Sequence, residues 1–281
     1  VPELPEVQAH AERLTAALVG TALSAFEPLT FTALKTYSPP PDAAKGRALG
    51  EVGRRGKHLL LRFPGEPPLT FIVHLMQGGR LKPDTGKSKK PRNGLARWRF
   101  ANGENLLLTE AGTEHRAGVW VVADDPLTQQ PLDHLGPEAD TIDDWQMAEL
   151  FAAHPMRLHT FLRDQRILAG IGRRLANEVC HRAHLSPFAA TRKLGDAGAA
   201  AVVAAIRDAV DEGLAFEREQ SEMVASAERP GAVHHRTGQA CPVCGDAIRE
   251  VAYRDYTVHY CPTCQTGGKV LADNTTSKFL K

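Results

Sequence analysis

Two C-x-x-C pairs, Cys241-Pro-Val-Cys244 and Cys261-Pro-Thr-Cys264, stand sixteen residues apart near the end of a 281-residue chain. No other feature restricts the fold as tightly. Each pair folds as a knuckle that aims two thiolates at one point. Two knuckles supply four soft ligands in the tetrahedral arrangement that suits Zn2+. The segment between them, EVAYRDYTVHY, alternates like the two arms of a short hairpin. The spacing predicts one zinc ion held by Cys241, Cys244, Cys261 and Cys264. With all four positions filled by cysteine no coordination site stays open, so the expected role of the metal is structural. A disulfide framework belongs to oxidising compartments, and no secretion signal is read at the start of the chain. Cys180 stands alone and reads as a small buried hydrophobe.

The formal net charge of +1 conceals strong segregation. Arg80 to Arg99 holds eight Lys/Arg against one Asp, and Met156 to Lys193 holds eight against two acids. Between them, Glu104 to Glu149 holds eleven acids against one Arg. Two basic blocks around an acidic one suggest a polarised surface with a polyanion as partner for the basic parts, although solvated loops and helix faces give the same pattern. No apolar run approaches the ~20 residues of a membrane span. The expected location is the cytoplasm of a bacterium, near the nucleoid.

Along the chain, Leu4, Val7, Leu14 and Leu18 recur at helical spacing, and Gly20 is a stop. From Thr21 to about Ala123 the pattern changes to short strands: Leu59 to Phe63, Leu69 to Leu75, Leu95 to Phe100, Leu106 to Thr109 and Val119 to Val122. Asn102-Gly103 between two of these is a hairpin turn. Asp124 to Pro137 reads as a linker. Helical patterns follow over Asp143 to Ala153, Met156 to Leu162, Leu175 to Ala183 and Gly198 to Phe216, and the polar stretch Glu219 to His235 reads as a loop. The predicted class is α+β and multidomain: a β-sandwich domain behind one helix (1–123), a linker (124–137), a helical domain (138–235) and the cysteine hairpin (236–281).

The chain opens VPELPEV. PELPEV, a lysine in RRGKHLLLR, the glycine turn of LAGIGRRLANEV in a basic helical region and the four-cysteine hairpin occur together. That combination resembles the formamidopyrimidine-DNA glycosylase and endonuclease VIII family over nearly the whole chain, from Pro2 to about Gly268. The resemblance implies a bifunctional DNA glycosylase and abasic-site lyase of base excision repair. Its nucleophile would be the free nitrogen of an N-terminal proline, here Pro2, attacking the sugar C1′ of a damaged nucleotide to leave a Schiff base. A proline nitrogen acylated by Val1 has no usable lone pair, so the resemblance expects Val1 to be removed. Glu3 would be the general acid/base, Glu6 would assist elimination, and Lys57 would contact a phosphate beside the lesion. The helical domain would be a helix–two-turn–helix in which Gly172 and Arg173 approach a phosphate at a helix N-terminus. The expected protein is a monomer acting on damaged DNA, with no small-molecule cofactor and no membrane association.

Several positions depart from the family pattern. The family usually has Asn where Arg173 stands. After His74 the family places Met or Leu three residues on as a wedge into the emptied stack. That position is Gln77, with Met76 beside it. A second wedge, Arg-Phe, appears as Arg116-Ala117. The family's hairpin arginine, five residues before the third cysteine, is Tyr256, with Arg254 nearby. A thinned wedge makes unstacking of a duplex base harder to offset. The expected substrates are therefore abasic sites and oxidised pyrimidines, preferably in single-stranded or bubble DNA. Two rival readings stay open: a damaged-DNA binder of the same fold with weakened catalysis, and a zinc-ribbon adaptor on a β scaffold in which PELPEV is inert.

Overall fold

The computed structural model describes residues 2–111, 116–223, 228–254 and 256–271. The chain divides into two compact units, Val1–His134 with Glu217–Val224, and Leu135–Phe216 with Ala225–Lys281. No helix among the described residues is long and apolar enough to cross a membrane.

The first unit begins with helix α1 (Leu4–Leu18), which buries Leu4, Val7, Ala11, Leu14 and Leu18 along one stripe. Eight strands follow: β1 (Leu23–Pro28), β2 (Glu51–Arg55), β3 (His58–Phe63), β4 (Leu69–His74), β5 (Gly79–Pro83), β6 (Gly94–Phe100), β7 (Asn105–Glu110) and β8 (Gly118–Ala123). They pair into two antiparallel four-stranded sheets, ordered β1-β6-β7-β5 and β2-β3-β4-β8. The core between them is aromatic. Phe26 lies 4.9 Å from Trp98 and 5.3 Å from Phe71, which in turn meets Phe63 at 5.5 Å. Such offset and edge-on pairs add to the burial of large apolar rings. This is the helix-plus-β-sandwich expected from the sequence. The β6–β7 turn at Asn102-Gly103 is also as expected, with Gly103 at φ +89°.

Part of the first basic block is structural. Arg97 is 1% exposed and donates to Asp84 at 2.7 Å, Glu27 at 3.2 Å and the Ser88 carbonyl at 2.7 Å. Arg99 binds Glu27 at 2.6 Å. A buried guanidinium must be paired to be tolerated, so Arg97 belongs to the sheet and not to a surface patch, and the half-buried Arg99 is tied to the same Glu27.

The second unit carries α2 (Asp144–Ala153), α3 (Leu158–Arg163), α4 (Arg173–Arg182) and α5 (Gly195–Arg218), whose last residues return to the first unit. It then forms the hairpin β9 (Arg249–Ala252) and β10 (Thr257–Tyr260), closed by α6 (Pro262–Thr266). The polar stretch read as a loop is firmly anchored where it is described. Glu178 of α4 accepts hydrogen bonds from the backbone N–H groups of Ala232, Val233 and His234 at 2.8, 3.1 and 2.9 Å. Arg174 donates to the Pro230 carbonyl at 2.7 Å. Asn177, fully buried, accepts from the His259 N–H at 3.3 Å and thereby docks α4 on β10. A Glu178→Ala substitution removes the acceptor of three backbone donors, that of Val233 fully buried, beside the buried Arg174. It is expected to cost about 3 kcal/mol of unfolding free energy, measured by urea denaturation; a loss under about 0.5 kcal/mol would contradict the anchoring role.

Candidate active site and nucleic-acid interface

In the first unit the candidate catalytic residues sit where α1 starts. Pro2, Glu3 and Glu6 are all buried. Glu3 is the N-cap in extended backbone, and the Glu6 carboxylate accepts its N–H at 2.9 Å, one half of a reciprocal capping box. The first N–H groups of a helix have no intrahelical partners, which is one reason acidic residues recur three apart here. Glu6 is therefore employed structurally as well as standing beside Glu3. Glu3, Glu6, His10 and Arg13 follow one another at helical spacing, so a polar line runs down α1 from its start. It ends at a cavity of about 670 Å³ bordered by His10, Arg13, Arg80, Leu81, Glu222 and Met223. Burial, and then the charge of Arg13, holds His10 down at about 4, so its imidazole is neutral. No sequence motif marks this cavity, because its lining comes from four separate segments.

Lys57 sits in the two-residue β2–β3 turn, half-buried, after Gly56 at φ +56°. The turn demands a left-handed first residue, which glycine supplies without strain. Arg54 ties β2 to α1 by donating to Gln8 at 3.2 Å. His74, at the end of β4, meets His58 with ring centroids 4.4 Å apart and planes tilted by 57°. Its pKa is lowered to about 4 by burial and then by the charge of Lys57. A neutral His74 accepts the Met76 N–H on Nδ1 at 3.0 Å, which fixes the following loop. There Met76 adopts φ +51° and packs against the core, while Gln77 stands exposed at the tip. A Cβ on Gly79 would lie 2.0 Å from the Leu75 carbonyl, so the chain can turn this tightly only with glycine. Arg116 is exposed, whereas Ala117 is buried and donates its N–H to Glu110 at 2.7 Å. The side chain aimed outward in the first loop is thus an amide, and the second loop's Ala117 faces inward.

In the second unit Gly170 (φ +106°) and Gly172 lead into α4, with Gly172 as N-cap and Arg173 as the first helical residue, half-buried. Gln165 holds this turn from within: it accepts from the Gly170 N–H at 3.0 Å and donates to the carbonyls of Ile171 at 2.8 Å and Arg163 at 3.0 Å. Nothing in the sequence marked Gln165. At the hairpin, Arg254 is exposed, and Tyr256 is half-buried with its ring parallel to that of Tyr253 at 4.7 Å.

The cysteine sulfurs converge. Cys241 and Cys264 lie 3.9 Å apart, and Cys244 and Cys261 lie 3.3 Å apart. Tetrahedral zinc with Zn–S bonds near 2.3 Å sets ligand sulfurs about 3.8 Å from one another, so the donor set fits one structural zinc. His181 of α4 also reaches the cluster. Its Nε2 is 3.3 Å from the Cys241 sulfur, and it forms a tight group with Cys241, Cys261 and Cys264. An imidazole N–H directed at a thiolate is the usual support for a metal ligand. Asp246 joins the knuckles by accepting from the Thr263 hydroxyl at 2.8 Å and the Ala247 N–H at 2.7 Å. Cys180 is fully buried apart from this cluster's ligand set, and burial pushes its thiol well up, which makes it inert.

With this geometry in view, comparisons with known proteins converge. Residues 1–113 match the formamidopyrimidine-DNA glycosylase N-terminal domain, and residues 238–267 match the zinc finger found in FPG and IleRS. An uncharacterised formamidopyrimidine-DNA glycosylase-like protein of Mycobacterium tuberculosis is 42% identical over 163 residues, covering 55% of this chain and 98% of that protein. The chain belongs to the formamidopyrimidine-DNA glycosylase (Fpg) family. The Fpg of Magnetococcus marinus is 28% identical across 94% of this chain and 99% of its own. The crystal structure of the Thermus thermophilus MutM (Fpg) protein superposes with a TM-score of 0.79 at 26% identity, covering 96% of this chain and all of that one. The Lactococcus lactis Fpg, in a complex with DNA containing an abasic site, shares the fold at a TM-score of 0.83 and 20% identity, covering 94% and 99% of the two chains. The family match places the cysteine cluster as the Fpg zinc finger with one structural zinc.

Zinc content separates the two side chains that compete for the fourth position. Cys244→Ser is expected to leave the purified protein well below one zinc per chain by atomic emission. His181→Ala is expected to retain one zinc but bind it about 10- to 100-fold more weakly against a chelator. The reverse pattern would make His181 the ligand.

Proposed function

We propose that the chain is a bifunctional DNA glycosylase and abasic-site lyase that acts through the Pro2 nitrogen. The observation that carries the reading is the capping box, which fixes Glu3 directly beside Pro2 at the start of a buried helix. In a chain that starts at Pro2 this nitrogen is a secondary amine. Val1 lies outside the described residues, and the reading requires its removal. An α-amine titrates near ~8, so a useful fraction is neutral close to pH 7. The positive end of the α1 dipole further disfavours a proton on it.

The amine attacks C1′ of the damaged nucleotide, and the base leaves with the glycosidic electron pair. Glu3 protonates the ring oxygen O4′ as the sugar opens, which yields an iminium between Pro2 and C1′. The iminium acidifies the C2′ hydrogens. Loss of one expels the 3′ phosphate, and a second elimination expels the 5′ phosphate. Glu6 stands one helical turn from Glu3, placed to relay protons in those eliminations, and Lys57 neutralises a phosphate beside the lesion.

Four thiols, Cys241, Cys244, Cys261 and Cys264, hold the zinc, and His181 supports Cys241 from outside. The metal supplies no chemistry to the reaction. It fixes the hairpin. Gly172 and Arg173, the turn at His74 to Gln77, Arg116, Arg254 and Tyr256 form the DNA-contacting set. Exposed Gln77 and inward Ala117 support a preference for open substrates, because neither offers an apolar wedge to fill the gap left by a flipped base. Oxidised pyrimidines, smaller than purines, and abasic sites suit that equipment best.

Borohydride trapping on oligonucleotides tests the reading. Protein starting at Pro2 is expected to cross-link to single-stranded and bubble substrates more efficiently than to duplex with the same lesion. Glu3→Gln is expected to slow base release by about 100-fold or more. Its effect on a preformed abasic site should be smaller, because that sugar already equilibrates with the open aldehyde. Failure of the unaltered protein to cross-link any substrate would leave only a damaged-DNA binder of the same fold.

A further inference from the structure

Tyr256 occupies the hairpin position at which the family resemblance expects a phosphate-binding arginine. A tyrosine carries no charge there, yet the position is not without a cation. Arg163, the last residue of α3, lays its guanidinium over the Tyr256 ring, 4.3 Å from the centroid. That is well inside the ~6 Å reach of a cation–π contact. His159, one turn earlier on α3, lies parallel to the same ring at 10°, with centroids 6.1 Å apart. Tyr253 stacks on Tyr256 at 4.7 Å and 11°, and its hydroxyl accepts from Arg157 at 3.0 Å. The short helix α3 and its N-cap Arg157 therefore hand three side chains, Arg157, His159 and Arg163, to the tip of the hairpin.

This arrangement has a consequence for charge. A guanidinium held over a ring keeps its full charge, and its planar fork matches the geometry of a phosphate. Arg163 and Arg173 both act on buried His159, whose pKa is pushed down to about 3 mainly by burial, with Arg163 as the next cause. The charges at the α3 terminus and beside the Gly172 turn thus both reach one buried ring within the second unit. Gln165 adds rigidity by donating to the Arg163 carbonyl, which pins the residue to the same turn. Exposed Arg254 has no comparable support in the ring stack, and ordering a long exposed side chain carries a larger entropic cost.

We propose that Arg163, positioned by Tyr256, binds a DNA phosphodiester in place of the hairpin arginine. The contact is divided between two elements: α3 supplies the charge and the hairpin supplies the surface that orients it. The assignment rests on the reading of the chain as a protein that acts on DNA, but not on its amine chemistry.

The test is fluorescence anisotropy with an oligonucleotide carrying a tetrahydrofuran abasic analogue, over a salt series. Arg163→Gln is expected to weaken binding roughly tenfold at ~0.1 M salt and to lower the slope of log K against log salt by about one. Tyr256→Ala, which removes no charge, is expected to produce a similar loss. The double variant should be no worse than the weaker-binding single one, because the two residues act as a unit. Tyr256→Arg in the Arg163→Gln background should restore the slope. Zinc content measured on every variant reports whether the hairpin is intact. An unchanged slope in Arg163→Gln or multiplying losses in the double variant would each overturn the assignment. The analogue needs no Schiff base to bind, so a protein that fails borohydride trapping yet keeps this salt behaviour sinks the enzymatic reading and upholds Arg163.

Discussion

A helix leaves its first N–H groups without intrahelical partners, and burial makes that deficit costly. In this chain the deficit falls at the residues that the proposed chemistry uses. Glu6 accepts the Glu3 N–H at 2.9 Å, and the box it closes sets where α1 begins. Because Glu3 is the cap, its position relative to Pro2 is fixed by backbone geometry and not by a flexible side chain. Because α1 buries its apolar stripe on the β-sandwich, the cap is fixed to a rigid body. In the proposed mechanism the same carboxylates serve stability and reaction, and neither use can be removed without disturbing the other.

The second unit solves a different problem. A zinc hairpin of four cysteines is too small to orient itself, and its neighbours do so. Asn177 and Glu178 on α4 hold β10 and the segment before the knuckles, Gln265 donates to the Leu185 carbonyl at 2.9 Å, and His181 reaches the Cys241 sulfur. Helix α4 is amphipathic in an unusual sense. Its buried face carries Arg174, Asn177, Glu178 and His181, all used as polar joints. Gln165 does the same for the glycine turn that starts α4. The groups proposed to face phosphate are therefore fixed by a continuous set of hydrogen bonds from α3 through α4 to the hairpin.

Much of this was legible in the sequence, for reasons tied to particular residues. The C-x-x-C pairs, the Asn-Gly turn and the strands over Leu59 to Phe63 and Leu69 to Leu75 are local signals, and local signals survive folding. Strands β1, β2 and β5 were missed because Ser24, Glu27, Gly53, Arg54 and Lys82 break the apolar alternation. Their place is set by partners distant in sequence, as when Arg97 claims Glu27 and Asp84. The basic block containing Arg97 and Arg99 overstated the surface charge for the same reason. Among site residues, the PELPEV start and the cysteines were readable from motif context. Gln165, His181 and Arg163 were not, because each matters only through a neighbour that the fold brings to it.

The central claim is that the nitrogen of Pro2 captures the sugar carbon. The most direct measurement is peptide mapping by mass spectrometry of the borohydride-reduced adduct formed with an abasic oligonucleotide. The account predicts that the sugar remnant sits on the nitrogen of a peptide whose first residue is Pro2. A remnant on a lysine side chain, or on a peptide that still carries Val1, would contradict it.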